Sequence, residues 1–174
     1  MRFRFSHEFE APREVVASVM LSSDYLPFAV EHHSKLLKAE LLDRSETATH
    51  ITRAIRYLPR PVIESIGKKK IPPAWFEFVE NSTWDKAKFQ LTFENIPTTK
   101  TIANALVNKG TLTLHDRGSS RTERITEGEL ALKLPLLLRP LALLGERLIY
   151  SEAEKLLNGE AETFRHWLAT SSVT

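Results

Sequence analysis

The chain contains no cysteine among its 174 residues, which excludes disulfide bonds, thiolate catalysis and cysteine-ligated metal sites. It also lacks a long apolar run, because Lys133, Pro135, Arg139 and Pro140 interrupt its most apolar stretch, residues 130–150. A membrane-spanning helix needs about 20 predominantly apolar residues. The N-terminal residues lack the apolar core and the cleavage site of a secretory signal. We therefore expect a cytoplasmic protein without a transmembrane segment.

An excess of charge of one sign is also missing. Lys and Arg total 24 and Asp and Glu total 22, so the net charge is +2. A nucleic-acid-binding protein clusters Lys and Arg on one face to neutralise phosphates, and we therefore expect no nucleic-acid partner. A chain of this length without internal repeats fits one domain, residues 1–174.

Recognisable catalytic and ligand-binding motifs are absent as well. The six histidines show no metal-ligand spacing, and the chain has neither a glycine-rich phosphate loop nor a nucleophile elbow. The sequence therefore predicts no metal site, no cofactor and no catalytic residue.

Period-2 alternation dominates the first half of the chain. Phe3, Phe5, His7 and Phe9 alternate with polar residues, which predicts a strand with one buried face. Pro12 then favours the start of a helical hairpin, predicted over Pro12–Leu21 and Asp24–His32. Strands return from Lys35, with a hairpin turn predicted at Asp43–Glu46. Residues 59–75 contain four prolines and a lysine run, so they predict an excursion with a short helix near Val62–Ile66.

The second half continues the strands and ends in a helix. Strands are predicted around Phe76 and Phe78 and from Ala87 to Phe93, separated near Thr83–Lys86, and then over Gly110–Asp116 and Thr122–Leu134. Thr99–Asn108 fits a strand or a helical turn, and we favour an irregular strand. From about Pro140 the apolar residues recur with a period of 3.6, which predicts a long amphipathic helix on the sheet.

This order of elements resembles the START-like (helix-grip) superfamily, an α+β fold in which a curved antiparallel sheet and two short helices enclose a long C-terminal helix. Within it, the chain resembles the PRELI-type phospholipid-transfer proteins in an arginine-containing strand ending in LP, the loop to Trp75, FVENSTWD and ENIP. The last segment, from Gly128, resembles bacterial START-like proteins of unassigned function. The resemblance implies a tunnel between sheet and helix that carries a hydrophobic small molecule or lipid.

Arg53 is the residue most indicative of a binding role. It lies between Ile51 and Ile55 on the predicted inward face, where an unpaired charge is costly. One interpretation is a clamp on a phosphate or carboxylate headgroup, which the planar guanidinium fits. The alternatives are a structural pair with Glu77 or Glu127, or a strand whose faces are reversed.

The predicted tunnel walls combine the sheet with small residues of the last helix. Small side chains at Ala153 and Ala161 leave volume that either holds a ligand or is closed by tight packing. The predicted ligand-binding residues besides Arg53 are Ile51, Ile55, Tyr57, Phe76, Phe78, Phe89, Leu91, Ala153, Leu157 and Ala161.

The loop after the Arg53 strand is expected to act as a lid, by the same resemblance. Its apolar and basic residues suit weak, reversible contact with an anionic membrane surface; they are Val62, Ile63, Ile66, Lys68, Lys69 and Lys70. The alternative is a solvated basic turn without a partner.

Two other functions stay open at this stage. A cyclase- or dehydratase-like enzyme needs an inward acid and base close together, for which Glu77, Glu127, His7 and His50 are the candidates. A module resembling the START-like co-chaperones would instead have a filled interior and an exposed apolar patch.

Overall fold

The computed structural model describes residues 1–61, 65–66, 69–70, 72–118, 120–133 and 139–170. Its first half consists of β1 (Arg2–Phe9), α1 (Arg13–Leu21), α2 (Tyr25–His32), β2 (Leu36–Glu46), β3 (His50–Pro59), and the two-residue strands β4 (Ser65–Ile66) and β5 (Lys69–Lys70). A 3₁₀ helix (Pro73–Phe76) leads into β6 (Phe78–Asp85), β7 (Gln90–Pro97), α3 (Lys100–Ala103), β8 (Leu106–Asp116), β9 (Thr122–Leu132) and α4 (Arg139–Thr170).

The strands form one seven-stranded antiparallel sheet in the order β1-β9-β8-β7-β6-β3-β2. The helical hairpin α1–α2 joins β1 and β2, which are the two edges of this sheet. The START-like helix-grip fold expected from the sequence is therefore confirmed. No helix in the described ranges combines the length and apolarity needed to span a membrane.

One face of the sheet, here called the concave face, is turned toward α4. Three successive inward residues of β1 establish this, since the ring centres of Phe5 and Tyr150 are 5.3 Å apart and those of Phe9 and Phe164 are 5.0 Å apart. Between them, Nε2 of His7 donates to Oδ1 of Asn158 over 2.9 Å. The strand register then fixes which residues of every other strand share this face.

The sheet bends sharply where two glycines face each other. Gly110 of β8 pairs with Gly128 of β9, and a Cβ atom on Gly110 would stand 2.2 Å from the carbonyl oxygen of Glu127. A Cβ atom on Gly128 would meet the carbonyl oxygen of Lys109 at the same distance. Only glycine allows this close approach of the two backbones, which curls the sheet around α4.

The core lies at one end of the concave face. The largest fully buried side chains there include Phe9, Val16, Leu114 and Phe164, each at most 2% exposed. Each contributes about 1.5–3 kcal/mol by leaving water. This end of the space between sheet and helix is therefore filled.

Several local predictions were wrong, each for an identifiable reason. β2 continues to Glu46, so the turn follows the predicted Asp43–Glu46 segment. Residues 65–66 pair with residues 69–70 as strands rather than forming the predicted helix, and Val62, Ile63 and Lys68 lie outside the described residues. The irregular strand expected over Thr99–Asn108 begins with α3, and β8 starts at Leu106.

The turn between β6 and β7 was placed too early. β6 runs to Asp85, whose carboxylate accepts hydrogen bonds from the backbone N–H groups of Ala87 and Lys88 over 3.0 and 3.1 Å. Phe89 ends this turn with φ of 52°, a conformation usually taken by glycine or asparagine. Phe89 therefore belongs to the turn and not to a strand.

Candidate functional site

The space beside the packed core is lined by an unexpectedly polar part of the concave face. Arg53, Tyr57 and Glu80 all point to this face, because Arg53 pairs with Ser82, Ile55 with Glu80 and Tyr57 with Phe78 in the register of β3 and β6. All three side chains are half-buried. α4 packs mainly over β1, β9 and α2, so it does not cover this region as closely.

Arg53 has one anchoring hydrogen bond among the described residues. Its Nη1 donates to the carbonyl oxygen of Met20 at the end of α1 over 2.9 Å. Neither carboxylate proposed as its structural partner reaches it: Glu127 is bonded to Arg4 over 2.6 Å, and Glu77 lies 4.0 Å from Nε of Arg56. Within the part of the chain that the structure describes, the guanidinium group makes no other hydrogen bond.

Tyr57 and Glu80 lie deep in the molecule although they retain accessible surface. Burial raises the pKa of the Glu80 carboxyl above its ordinary value, and the charge of Arg53 opposes part of that rise. Burial likewise raises the pKa of the Tyr57 hydroxyl, and the negative charge of Glu80 adds to this effect. Tyr57 and Glu80 are therefore half-buried titratable groups that share the concave face with Arg53.

A second polar cluster lies between β1, β9 and α4. Arg124 is 2% exposed and its Nη2 is 2.5 Å from Oε2 of Glu160. The same Nη2 is 3.5 Å from Nδ1 of His7, whose other ring nitrogen donates to Asn158. Burial lowers the pKa of His7, which keeps its imidazole neutral beside Arg124.

The two clusters influence each other through Glu160. Its charge raises the pKa of Tyr57 and of Glu80, although burial is the main cause in both cases. This coupling places the carboxylate of α4 within electrostatic reach of Tyr57 and Glu80.

The other predicted ligand-binding residues fall into three groups. Phe78 and Leu157 are half-buried, as is Ala153, and the ring centres of Phe78 and Tyr57 are 5.5 Å apart. Ile51, Ile55, Leu91 and Ala161 are buried, and Ala161 is fully inaccessible in the packed core. Phe76 belongs to the 3₁₀ helix, and Phe89 lies under the guanidinium group of Arg13, 3.8 Å from its ring centre.

The predicted lid lies partly within the described residues. Ile66 and Lys69 belong to the small β4–β5 hairpin, and Lys70 is exposed. Trp75 follows on the 3₁₀ helix with 48% of its surface exposed. This segment therefore combines an exposed aromatic side chain with a cation.

The acid–base group proposed from the sequence does not assemble. His7 faces the concave side, but the register places His50 and Glu127 on the outer face, and Glu77 lies beside the outward Arg56. Sequence reasoning missed Glu80, Arg124 and Glu160. The signal was present in FVENSTWD, where Glu80 and Ser82 occupy the same alternate positions as Phe78 and Trp84.

The outer face has a groove of its own, with a volume of about 1120 Å³. Its wall contains a row of exposed or half-buried threonines in register across four strands, Thr52, Thr83, Thr92 and Thr111. Apolar ligands favour enclosed, apolar pockets. This open polar groove is therefore not the expected site for a hydrophobic ligand.

Comparison with known proteins supports the fold and leaves the ligand open. The crystal structure of TTHA0849 from Thermus thermophilus is 19% identical, with a TM-score of 0.64 over 99% of this chain and 100% of that one. The Zhui aromatase/cyclase from Streptomyces sp. R1128 is 12% identical, with a TM-score of 0.67 over 100% and 99%. A START superfamily protein from Mycobacterium smegmatis is 11% identical, with a TM-score of 0.54 over 95% and 94%.

Sequence comparison adds a family but no activity. Residues 4–168 match the model of a family described as protein of unknown function (DUF2505). No curated protein matches the chain significantly. The structural relatives thus include both an aromatase/cyclase and a START protein, while PRELI-type phospholipid specificity has no support from these matches.

Proposed function

This chain belongs to the DUF2505 family, and we propose that it binds a hydrophobic small molecule, most simply a lipid, between the concave face and α4. The observation that carries this proposal is the placement of Arg53, Tyr57 and Glu80. Their half-buried side chains share the concave face, and burial raises the pKa of both the Tyr57 hydroxyl and the Glu80 carboxyl. A ligand with one polar end and an apolar body would pair with these groups and cover the apolar walls.

Polar groups on the concave face favour a ligand that can bond to them. A guanidinium or carboxyl group held away from bulk water without full hydrogen bonding is unfavourable. Met20 satisfies one nitrogen of Arg53, and a headgroup oxygen would satisfy the remaining donors. Tyr57 and Phe78, with ring centres 5.5 Å apart, would contact the adjoining apolar part.

We further propose that the segment from β4 to the 3₁₀ helix contacts membranes during ligand exchange. Exposed Trp75 and Lys70 follow each other closely in the chain. Tryptophan favours the membrane interface, and each lysine near an anionic surface contributes about 1 kcal/mol. Such contact is weak enough to be reversible, as a transfer step requires.

The first experiment asks what the purified protein carries. Denaturing extraction and mass spectrometry are expected to recover a hydrophobic compound in near-stoichiometric amount from protein purified from cells. Arg53→Met should lower that amount severalfold, because it removes the charge while keeping a long apolar side chain. Arg121→Met, at an exposed turn position, is the matched control. Recovery of no compound, together with no binding of fluorescent lipid probes, would refute the binding proposal.

A second candidate function is proton transfer on a bound substrate, as in a cyclase or dehydratase. The raised pKa of Glu80 favours it, since a carboxyl group poised nearer neutrality donates or accepts a proton more readily. The aromatase/cyclase relative provides a precedent within the fold. In this case the extracted compound would differ from the one supplied, for example by the mass of one water. Glu80→Gln should then abolish conversion and retain binding. Recovery of unchanged compound from every incubation would eliminate this candidate.

A further inference from the structure

The edge strand β2 has an open side in the described part of the chain. It pairs with β3 alone, and no described residue outside β3 forms a hydrogen bond to the backbone of residues 38–46. The other edge strand, β1, differs, because Nε of Arg165 on α4 donates to the carbonyl oxygen of Glu8 over 3.1 Å. An open edge presents backbone N–H and C=O groups that pair readily with a further strand.

Two of the exposed large apolar side chains belong to β2. Leu37 is 38% exposed and Leu42 is 41% exposed, and each lies at a break in the register with β3. A bulge of this kind leaves one residue out of the regular pairing. Between the two bulges, residues 38–41 pair regularly with β3. An exposed leucine therefore flanks this regular segment on each side, and a strand added at the edge would cover both leucines in part.

The regular segment is complementary in charge to an antiparallel copy of itself. Lys38 and Glu40 point to the outer face, since they pair with Leu58 and Arg56, and Ala39 between them points to the concave face. Directly opposite residues of an antiparallel pair share a face. With Ala39 opposite its own copy, each Lys38 therefore lies opposite a Glu40 of the other chain.

The same charges select this register over its neighbours. A shift that keeps the faces aligned places either Lys38 or Glu40 opposite its own copy, and like charges directly opposite each other are unfavourable. Within one chain Lys38 and Glu40 already lie 2.8 Å apart. In the register centred on Ala39, the second chain completes a ring of four charges of alternating sign.

We propose that β2 pairs antiparallel with β2 of a second copy of this chain, with Ala39 on the two-fold axis. The two seven-stranded sheets then join into one continuous sheet, and both concave faces lie on the same side of it. Each copy uses the same surface, so the assembly closes at the dimer. This inference is independent of the proposed ligand binding.

The first test measures mass against concentration by sedimentation equilibrium. The interface is small, so we expect the mass to rise from that of one chain toward that of two over about 5 to 500 µM. Lys38→Glu and Glu40→Lys each place like charges opposite each other, and each should weaken self-association at least tenfold. Glu162→Lys, at an exposed position on α4, is the matched control and should leave association unchanged.

An equimolar mixture of Lys38→Glu and Glu40→Lys is the decisive sample. One variant presents two negative charges and the other presents two positive charges, so the mixture should form heterodimers about as tightly as the wild type self-associates. This recovery also separates repulsion from unfolding, because only folded chains offer the edge strand.

A disulfide test fixes the register, since the natural chain contains no cysteine. Ala39→Cys brings one thiol opposite its own copy, where a disulfide forms with little adjustment. Mild oxidation should therefore cross-link this variant. Ser45→Cys, exposed on the same strand, is the control and should stay largely uncross-linked.

Four results would overturn the inference. They are the mass of one chain at every concentration, a mixture no more associated than its separate variants, equal cross-linking of Ala39→Cys and Ser45→Cys, and masses that continue to grow beyond two chains. The last result would mean that the edge pairs with a different surface and that the assembly does not close.

Discussion

The Arg124–Glu160 pair provides a sharp test of how charge is arranged under α4. Arg124 is 2% exposed, whereas the Glu160 side chain is 26% exposed. The pair is therefore asymmetric: the Arg124 side chain is almost fully buried, whereas the Glu160 side chain keeps about a quarter of its surface accessible, although its Oε2 is buried. Glu160→Gln leaves an unpaired charge buried, which costs about 3–5 kcal/mol.

The reverse substitution should cost less. Arg124→Met fills the space with a flexible apolar side chain and leaves a carboxylate that solvent reaches, so we expect a loss of about 1–2 kcal/mol. In the double variant Arg124→Met, Glu160→Gln no charge is buried, and most of the loss from Glu160→Gln alone should be recovered. Since 1 kcal/mol shifts the melting temperature of a domain this size by about 2–4 °C, Glu160→Gln should lower it by roughly 6–20 °C.

Urea unfolding followed by tryptophan fluorescence measures these free energies, because Trp84 is 3% exposed and becomes exposed on unfolding. The control is Glu127→Gln in the exposed Arg4–Glu127 pair, where side chains are 61% and 51% exposed and the expected loss is below about 1 kcal/mol. Equal losses for Glu160→Gln and Glu127→Gln would refute the reasoning. A double variant no more stable than Glu160→Gln would refute it too.

Three further predictions concern pH, backbone strain and internal volume. Burial lowers the pKa of His7 in the native state, so the unfolded chain binds more protons than the native one below about pH 6.5. The free energy of unfolding should therefore fall as the pH drops below about 6.5. In urea titrations from pH 5 to 8, His7→Gln should make the free energy of unfolding depend less on pH. Phe89→Gly relieves the positive φ, which is worth about 1–2 kcal/mol, but it removes the ring between Arg13 and Trp84, which is worth about 1.5–3 kcal/mol. We therefore expect the free energy of unfolding to fall by about 1 kcal/mol. A higher free energy of unfolding in chemical denaturation would contradict this expectation. Ala161→Leu should lower the free energy of unfolding by about 1–3 kcal/mol, because it overpacks a fully buried position. Ala153→Leu should leave the melting temperature nearly unchanged and weaken ligand binding. Equal melting temperatures for the two variants would contradict a difference in packing between these two positions of α4.

Alternation and helical periodicity predicted most of the strands and the last helix, and the resemblance of their order to START-like proteins predicted the fold. Phe5 and Phe9 on β1, and Ile51 and Ile55 on β3, point to the buried face that their spacing indicated. The predicted amphipathic helix also turns Phe164 toward the sheet, where its ring centre is 5.0 Å from that of Phe9. These patterns can be read from the sequence because burial of one face imposes a period of 2 residues on a strand and of 3.6 residues on a helix.

The candidate site was less predictable because its residues interrupt those same patterns. Glu80 stands where a strand with a buried face would have an apolar residue, and so does Arg124 between Thr122 and Thr126. Their partners come from α4 and from neighbouring strands far away in the chain, and register decides which groups meet. The position of the turn at Phe89 was also mispredicted, because this turn contains no glycine to mark it in the sequence. Hydrogen bonds from backbone N–H groups to the Asp85 carboxylate stabilise it instead.

The two ends of the concave face contribute oppositely to stability. At the packed end Phe9, Trp84 and Phe164 are almost inaccessible, whereas Oδ1 of Asn95 is a buried oxygen without a hydrogen-bond partner among the described residues. An unsatisfied group of this kind costs about 1–3 kcal/mol, a sizeable part of the 5–15 kcal/mol that stabilises a typical domain. A ligand that binds only the native state offsets such a cost, because at a concentration of 100 Kd it adds about 2.7 kcal/mol to the free energy of unfolding.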